Sequence, residues 1–365
     1  MSRLATRLMS SAWVIRFSYL TGLLYKRFEN FILLTRLNRP IGIFLLLWPT
    51  LWALWLASDG NVDLRTLLVF VAGVVLMRSA GCAINDFLDR NFDKRVKRTA
   101  DRPLAAGRMK PVTAVVIFVS LAALAFALVV LFLNRLSMYL SIGAVLLAMT
   151  YPLMKRITHL PQVVLGMAFA MSVPMAYATY DELKIETLIL YVGVVLWTVV
   201  YDTMYALVDK EDDVKVGIKS TAILFGDMYR LIIGLLQVGV FLALLLVGDK
   251  HQMTYPFYAG LGTAALLAGY QLFLVYDREP ARCFRAFLNN GWYGAFIFLG
   301  IVFHYVLLEK SYSVHFYVLL GYVGSVLLVY FMAILRHASR RFWVFVALLT
   351  GPLALFLVPF ARRHL

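Results

Sequence analysis

The sequence is poor in charged residues and in cysteine. Asp, Glu, Lys and Arg together make up 15% of its 365 residues, whereas soluble domains usually contain about 25%. Apolar residues reach 62%, which excludes an ordinary soluble domain and is typical of a protein with many membrane spans. Cys82 and Cys283 are far apart and form no CxxC pair, so the sequence indicates neither a disulfide framework nor a cysteine-ligated metal site.

Several motifs of soluble enzymes are also absent. The sequence contains no GxxxxGK[ST] phosphate loop and no HExxH zinc motif. A net charge of +15 would suit nucleic acid in a soluble protein, but here the basic residues fall in alternate loops between apolar runs. That alternation follows the positive-inside rule, so we expect membrane lipid as a partner and no nucleic acid.

Long apolar runs divide the chain into eleven predicted transmembrane helices. The runs are continuous and not alternating, so they indicate helices and not the strands of a barrel. The predicted spans lie near 41–58, 64–84, 112–133, 136–153, 161–180, 187–208, 229–248, 256–276, 291–308, 313–335 and 342–360. The predicted fold class is therefore all-α, a polytopic membrane helical bundle with its N-terminus and basic loops in the cytoplasm.

This pattern divides the chain into three regions. Residues 1–38 are predicted to form a basic N-terminal arm with an interfacial helix near 10–25, and a transit peptide is the alternative. Residues 39–308 form the main transmembrane domain, and residues 309–365 form a C-terminal extension with two further spans. Two roles remain open for this extension: it packs onto the rest of the helical bundle, or it binds a partner.

The first of two acidic stretches begins at the end of the second predicted span, with the sequence "NDFLDRNFDKRVKRTADRPLAAG". Asp86, Asp89 and Asp93 lie at i, i+3 and i+7 and therefore share one face of a helix. Asn85 adds an amide oxygen to the same side. Because like charges at this spacing repel one another, we expect basic residues or a divalent cation to neutralise them.

The second acidic stretch, "YDTMYALVDKEDDVKVGIKS", repeats this design. Asp202, Asp209 and Asp213 lie at i, i+7 and i+11, again on one face of a helix. Tyr205 lies close to this face, and Asp212 is a further candidate. Oxygen ligands without thiolates or clustered histidines favour Mg²⁺ over zinc. Two stretches of matching design favour a shared acidic site over two solvated loops.

Basic residues near both stretches suit a polyanionic group such as a diphosphate. Arg98, Arg102 and Lys219 follow the acidic stretches, and Lys155 and Arg156 lie in "YPLMKRITHLPQ". Each of them has the alternative role of a positive-inside anchor. Acidic helix ends beside an apolar bundle thus favour a substrate with an anionic head and a lipid tail.

Several long stretches resemble a known family. "NDFLDRNFD" matches the NDxxDxxxD signature of the UbiA superfamily of intramembrane prenyltransferases, and "DKEDDVKVGIKSTAILFG" resembles its second acidic motif. With "RPIGIFLLLWPTLWALW" and "YPLMKRITHLPQVVLG", they resemble the members that prenylate 4-hydroxybenzoate for ubiquinone, over about residues 30–308. The resemblance implies a nine-helix core around a cavity open to lipid. It also implies Mg²⁺ as cofactor, and polyprenyl diphosphate and 4-hydroxybenzoate as substrates.

The resemblance and the residue pattern together give a set of expected site residues. The metal ligands are Asn85, Asp86, Asp89, Asp93, Asp209 and Asp213, and these five aspartates are also the expected catalytic residues. The residues expected to bind substrate are Asn85, Arg98, Arg102, Lys155, Arg156, Asp202, Tyr205 and Lys219. Arg78 and Arg156 are the candidates for holding the benzoate carboxylate. The expected location is a bacterial inner membrane with the site facing the cytoplasm, and the mitochondrial inner membrane is the alternative.

Two other functions are consistent with parts of the pattern. A cation or metabolite transporter could carry paired acidic repeats, but its ionisable groups should lie near mid-span in broken helices. The aspartates here lie at helix ends and are followed by basic residues, which suits a phosphate better than a transport path. Prenyl transfer to another aromatic acceptor, or to haem, stays open because the motifs specify the diphosphate better than the acceptor.

Overall fold

The structure is a computed structural model that describes residues 25–308 except residues 97, 181 and 182. All regular secondary structure in these residues is helical, and they contain no strand. The predicted interfacial helix near 10–25 and the two spans predicted within 309–365 lie outside the described residues.

Most helices follow one another with short connections, and a longer connection, from residue 94 to residue 110, joins α3 to α4. They are α1 (25–35), α2 (Ile41–Ala57), α3 (Leu64–Asp93), α4 (Pro111–Phe132), α5 (Arg135–Ile157), α6 (Pro161–Ala170), α7 (Ser172–Thr179), α8 (Ile185–Val216), α9 (Thr221–Leu224), α10 (Tyr229–Lys250), α11 (Tyr255–Leu274) and α12 (Pro280–Leu308). A short 3₁₀ turn, Gly226–Met228, precedes α10.

Eight segments of the described chain are long and apolar enough to cross a membrane. They are α3, α4, α5, α6 with α7, α8, α10 with its 3₁₀ turn, α11 and α12, and α2 is a shorter apolar helix of 17 residues. The prediction of an all-α, multi-pass membrane protein is therefore confirmed. The compact unit that contains all the site residues ends at Tyr305. The predicted domain boundaries stay predictions.

A group of buried aromatic residues joins α2, α8 and α12. The ring of Trp197 lies 5.1 Å from that of Trp52 and 5.5 Å from that of Tyr293, between ring centroids. Trp52 Nε1 donates to the carbonyl of Gly294 at 3.0 Å, and Trp197 Nε1 donates to Asn290 Oδ1 at 2.9 Å. Because the indole N–H groups of both tryptophans are paired, these two large rings fill the interior without leaving an unsatisfied donor of their own.

A second cluster fixes the acidic end of α3. Leu34 of α1, Ala80 and Ile84 of α3, and Phe118 of α4 are buried together with Leu104, which belongs to the connection from residue 94 to residue 110. Packing of Leu104 against the helices holds this connection close to the acidic end of α3. Its arginines are thereby kept within reach of the aspartates.

Helix α8 ends at a glycine that the turn requires. Gly217 has φ +79°, a left-handed conformation that side chains with a Cβ rarely adopt, and its N–H donates to a carbonyl of the last helical turn. The chain then turns back towards α5, where Lys219 N donates to the carbonyl of Lys155 at 2.9 Å. The segment between α8 and α9 is therefore held beside the C-terminal ends of α5 and α8.

Candidate functional site

The acidic stripe of α3 is buried. Asp86 and Asp89 are each 1% exposed and Asp93 is 7% exposed, and all three lie in the last turns of α3. Burial of three carboxylates is costly unless cations or hydrogen-bond donors accompany them. The structure supplies these cations from three different segments of the chain.

Two arginines neutralise the first part of the stripe. Arg36, just after α1, donates through one Nη atom to both oxygens of Asp86 at 2.7 and 2.9 Å. Arg102 Nη1 donates to Asp86 Oδ1 at 3.0 Å and to Asp93 Oδ2 at 2.9 Å. Burial opposes the charge of Arg102, yet the carboxylates of Asp86 and Asp93 raise its pKa, so that it stays protonated. Asp86 is thus held between two guanidinium groups.

Asp89 is paired differently. Lys155, at the end of α5, forms an ion pair through Nζ with Asp89 Oδ2, and an Nη atom of Arg156 lies 4.0 Å from Asp89 Oδ1. Asp89 Oδ1 has no hydrogen-bond partner among the described residues, and neither does the buried Oδ1 of Asn85. Two buried oxygen acceptors therefore remain for a ligand at this end of α3.

Arg98 links the two acidic stretches. Its Nε donates to both oxygens of Asp209 at 2.8 and 3.1 Å, and its guanidinium lies 4.9 Å from the ring centre of Tyr205. Burial opposes the charge of Arg98, but hydrogen bonding to Asp209 and the nearby charge of Asp93 raise its pKa. A cation that follows α3 is thus fixed on a carboxylate of α8.

A small cavity of about 150 Å³ contains both acidic groups. Its lining includes Asn85, Asp89 and Asp93 from α3 and Asp202, Asp209 and Asp213 from α8. Arg98, Arg102, Lys155 and Lys219 also line it. The structure therefore brings the two predicted acidic stretches and four of the predicted basic residues to one place.

A larger cavity of about 680 Å³ adjoins the small one. Most of its lining residues are apolar and come from α2 to α7, and the two cavities share Asn85, Arg98, Arg102, Tyr151, Asp202 and Tyr205. Asp202 is the one aspartate of the described residues that lines both. A charged chamber is therefore continuous with an apolar chamber inside the bundle.

Some predicted residues take other positions. Asp86 lines the large cavity and not the small one. Arg156 is exposed and lines neither cavity, and its Nη2 donates to the carbonyl of Leu88 at 2.6 Å. Asp212 also lines neither, and its carboxylate is 3.6 Å from Lys215. Lys219 lines the small cavity, but its Nζ donates to the carbonyl of Ile157 at 3.0 Å.

Arg78 lies on the wall of the large cavity, two helical turns before Asn85. Its Nε has no hydrogen-bond partner within the part of the chain that the structure describes. A Cβ added to Gly42 of α2 would lie 2.3 Å from this Nε, so the glycine makes room for the guanidinium. The cavity thus carries a cation with unused hydrogen-bonding capacity.

Sequence reasoning did not assign roles to Arg36, Gly42, Gln162 or Ser220. Arg36 lies in the basic segment before the first span, a position that by itself indicates only a basic N-terminal arm. Gln162 receives a hydrogen bond from Thr221 N at 3.0 Å and also hydrogen-bonds Asp202. Nothing in its local sequence indicates this contact.

The oxygen atoms at the small cavity fit Mg²⁺ in their chemistry. Carboxylate and amide oxygens are the ligands that this ion prefers, and two of them, on Asn85 and Asp89, have no partner. Within residues 25–308, apart from the three gaps, no three His, Cys, Asp or Glu side chains converge as a metal site. Arg98, Arg102 and Lys155 pair with the aspartates there. A cation would compete with these pairs for the carboxylates.

Comparison with known proteins gives consistent matches. Residues 46–300 match the UbiA prenyltransferase family. A 4-hydroxybenzoate octaprenyltransferase of Saccharophagus degradans is 54% identical over 270 residues, which cover 74% of this chain and 90% of that protein.

Two solved structures share the fold. The apo structure of a UbiA homologue from Aeropyrum pernix is 25% identical, with a TM-score of 0.63 over 72% of this chain and 97% of that one. A UbiA homologue from Archaeoglobus fulgidus, bound to GPP and Mg²⁺, is 16% identical, with a TM-score of 0.58 over 74% of this chain and 99% of that one. The family match and the close relative show that this chain belongs to the UbiA prenyltransferase family.

Proposed function

We propose that the protein transfers a polyprenyl group from polyprenyl diphosphate to the ring carbon ortho to the hydroxyl of 4-hydroxybenzoate, with Mg²⁺ as cofactor. The observation that carries this proposal is the pair of adjoining cavities. One is charged and contains both acidic helix ends, and the other is large and mostly apolar. An allylic diphosphate has the same division into a polyanionic head and a lipid tail. The name of the 54% identical relative supports 4-hydroxybenzoate as the acceptor.

The head of the donor belongs in the small cavity. Arg98, Arg102 and Lys155 supply fixed positive charge there, and each already pairs with a carboxylate. Mg²⁺ held by Asn85, Asp89, Asp93, Asp209 and Asp213 would neutralise the diphosphate as it leaves. The freed arginine and lysine donors would then turn to the phosphate oxygens. Asp86, between Arg36 and Arg102, keeps both guanidinium groups near the head.

The acceptor needs a cation for its carboxylate and a base near its ring. Arg78 offers an unpartnered Nε inside the large cavity, and a guanidinium can bind a carboxylate with two parallel hydrogen bonds. Asp202 lines both cavities, so its carboxylate can lie between donor and acceptor. Of the two candidates for holding the benzoate carboxylate, Arg78 is preferred because it lines the large cavity, whereas Arg156 is exposed.

The reaction exchanges one bond at the first carbon of the prenyl chain. The ring carbon beside the hydroxyl forms a bond to this carbon as the bond from the prenyl carbon to the diphosphate oxygen breaks. The ring then loses its proton, and Asp202, which lines both cavities, would accept it. Arg98 and Lys155 stabilise the negative charge that develops on the leaving group. The apolar walls of the large cavity keep water from the electron-poor carbon.

Location and pathway follow from the same proposal. We assign the protein to the bacterial inner membrane, with the mitochondrial inner membrane as alternative, and to a membrane step of ubiquinone biosynthesis. The basic residues Arg98, Lys155 and Lys219 meet at one end of the helices, and the positive-inside rule favours the cytoplasm for that end.

The first test of this function is a product assay. Purified protein in detergent, given 4-hydroxybenzoate and prenyl diphosphates of several lengths, is expected to form 3-polyprenyl-4-hydroxybenzoate, which mass spectrometry identifies. EDTA is expected to abolish the reaction, and added Mg²⁺ to restore it, because the positive charge of the ion would offset the negative charges of the carboxylates and the diphosphate. Products only from other aromatic acceptors would overturn the assigned acceptor, and full activity in EDTA would overturn the role of the metal.

A second prediction concerns Gly42. In Gly42→Ala, the new methyl group would occupy the position of the Arg78 guanidinium and displace it. We expect the KM for 4-hydroxybenzoate to rise by about tenfold, since a hydrogen bond to a charged group is weakened, with little change in the KM for the prenyl diphosphate. Gly73→Ala is the matched control, because it also lies on the large cavity but has nothing within 4 Å of an added Cβ. Equal effects of both substitutions would contradict the prediction.

A further inference from the structure

Ser220 carries a buried hydroxyl that the fold does not use. It is 3% exposed and occupies the N-cap position of α9. Serine at this position usually accepts a hydrogen bond from an N–H of the first helical turn, but Ser220 makes no such bond. In the residues that the structure describes, its Oγ has no hydrogen-bond partner at all. An unsatisfied buried hydroxyl is destabilising, so a ligand that pairs with it would remove this cost.

The position of Ser220 indicates which ligand this is. Ser220 lines the small cavity, as do Asn85 and Asp89, whose Oδ1 atoms are also unpartnered. An ionised aspartate offers acceptors and no donor, whereas a serine hydroxyl can donate. The cavity therefore combines oxygen acceptors suited to a cation with a hydroxyl donor suited to an anionic oxygen. A phosphate group bound with a cation presents both partners at once.

Ser220 is fixed in place from both sides. On one side, Lys219 N donates to the carbonyl of Lys155 at 2.9 Å. On the other, Thr221 N donates to Gln162 Oε1 at 3.0 Å, and the Thr221 hydroxyl is hydrogen-bonded to that of Thr203 at 2.7 Å. Because the residues on both sides of Ser220 are hydrogen-bonded to α5, α6 and α8, its backbone is already held in place. Binding a ligand would therefore cost little conformational entropy at this residue.

We propose that Ser220 is a further diphosphate-binding residue whose Oγ–H donates to an oxygen of the donor's diphosphate. The inference rests on the proposed function, since it takes the small cavity as the site of the diphosphate. It gives the segment between α8 and α9 a direct role: Ser220 supplies a neutral donor, while Arg98, Arg102 and Lys155 supply the charge. A neutral donor improves the fit of the head without adding another cation to compete for the aspartates.

The test compares two buried serines. Ser220→Ala removes the proposed donor, and Ser79→Ala is the matched control, because Ser79 is equally buried at 3%, has an unpartnered Oγ and lines neither cavity. Calorimetry with inorganic pyrophosphate in Mg²⁺ buffer measures binding to the head site alone. We expect Ser220→Ala to raise the Kd by about tenfold, equivalent to about 1.4 kcal/mol. The KM for the prenyl diphosphate should rise in parallel, while the KM for 4-hydroxybenzoate and the binding of pyrophosphate to Ser79→Ala stay unchanged.

Each result decides the proposal. Wild-type affinity for pyrophosphate in Ser220→Ala would overturn it, and so would an equal loss in Ser79→Ala, which would indicate a general packing effect. If Ser220→Ala does not fold, Ser220→Thr keeps the hydroxyl and should bind pyrophosphate more tightly than Ser220→Val; equal affinities would overturn the role of the donor. Because pyrophosphate binding needs no acceptor, it tests Ser220 separately from the product assay. Failure of wild type to form any prenylated product would instead overturn the proposed function.

Discussion

Replacing Asp89 with Asn is expected to reduce prenyl transfer by about a thousandfold, the upper end of the range for losing one group that stabilises charge in a transition state. Asp89 is buried at the end of α3, pairs with Lys155 through one oxygen and presents the other, unpartnered, in the small cavity. The substitution keeps the shape of the side chain but removes its charge. A cation at this cavity would lose a ligand, and Lys155 would lose the partner that orients it.

The measurement is the rate of product formation by purified protein at saturating concentrations of both substrates and of Mg²⁺. Asp212→Asn is the matched control, because Asp212 belongs to the second acidic stretch yet lines neither cavity and pairs with Lys215. We expect it to retain most of the activity. The amount of each variant in the membrane should equal that of wild type. Turnover by Asp89→Asn close to wild type would contradict the assignment of Asp89 to the reaction.

The sequence predicted that the aspartates of α3 share one face of a helix because their spacing is local. Positions i, i+3 and i+7 share a helix face whatever the tertiary structure, and α3 does continue to Asp93. The pairing of the cations could not be predicted in the same way. Arg36 and Asp86 are 50 positions apart, and Arg98 and Asp209 are 111 positions apart. Such contacts depend on how the helices pack, which a single sequence does not specify.

Residues with no charge were the hardest to identify from sequence. Gly42 is a candidate because Arg78 lies against it, and Ser220 is a candidate because its buried hydroxyl lines the small cavity together with Asn85 and Asp89. Glycine and serine are common in loops and helices alike, so neither stands out in a sequence. Arg78 was one of two candidates for the benzoate carboxylate, and cavity position separates it from Arg156, which is exposed. Burial, and not residue type, distinguishes these functional candidates from their neighbours.

Replacing Arg78 with Met is expected to lower kcat/KM for 4-hydroxybenzoate by about a hundredfold, because truncating one partner of a buried charge pair usually costs about 2–5 kcal/mol. Methionine keeps much of the apolar stem of the side chain and removes the guanidinium. Its loss leaves the carboxylate of the acceptor without a partner in the large cavity. Pyrophosphate binding should stay close to wild type, since Arg78 does not line the small cavity.

A comparison of two acceptors makes this prediction specific. Wild-type protein should prefer 4-hydroxybenzoate to its neutral methyl ester, and Arg78→Met should lose that preference because the charge that discriminates between them is gone. Arg78→Lys keeps the charge but not the two parallel hydrogen bonds. Its preference for the acid over the ester should therefore lie between that of wild type and that of Arg78→Met. Arg156→Met is the comparison variant and should retain the preference for the acid, since Arg156 lines neither cavity. Loss of the preference in Arg156→Met, with its retention in Arg78→Met, would move carboxylate recognition from the interior of the bundle to its exposed end.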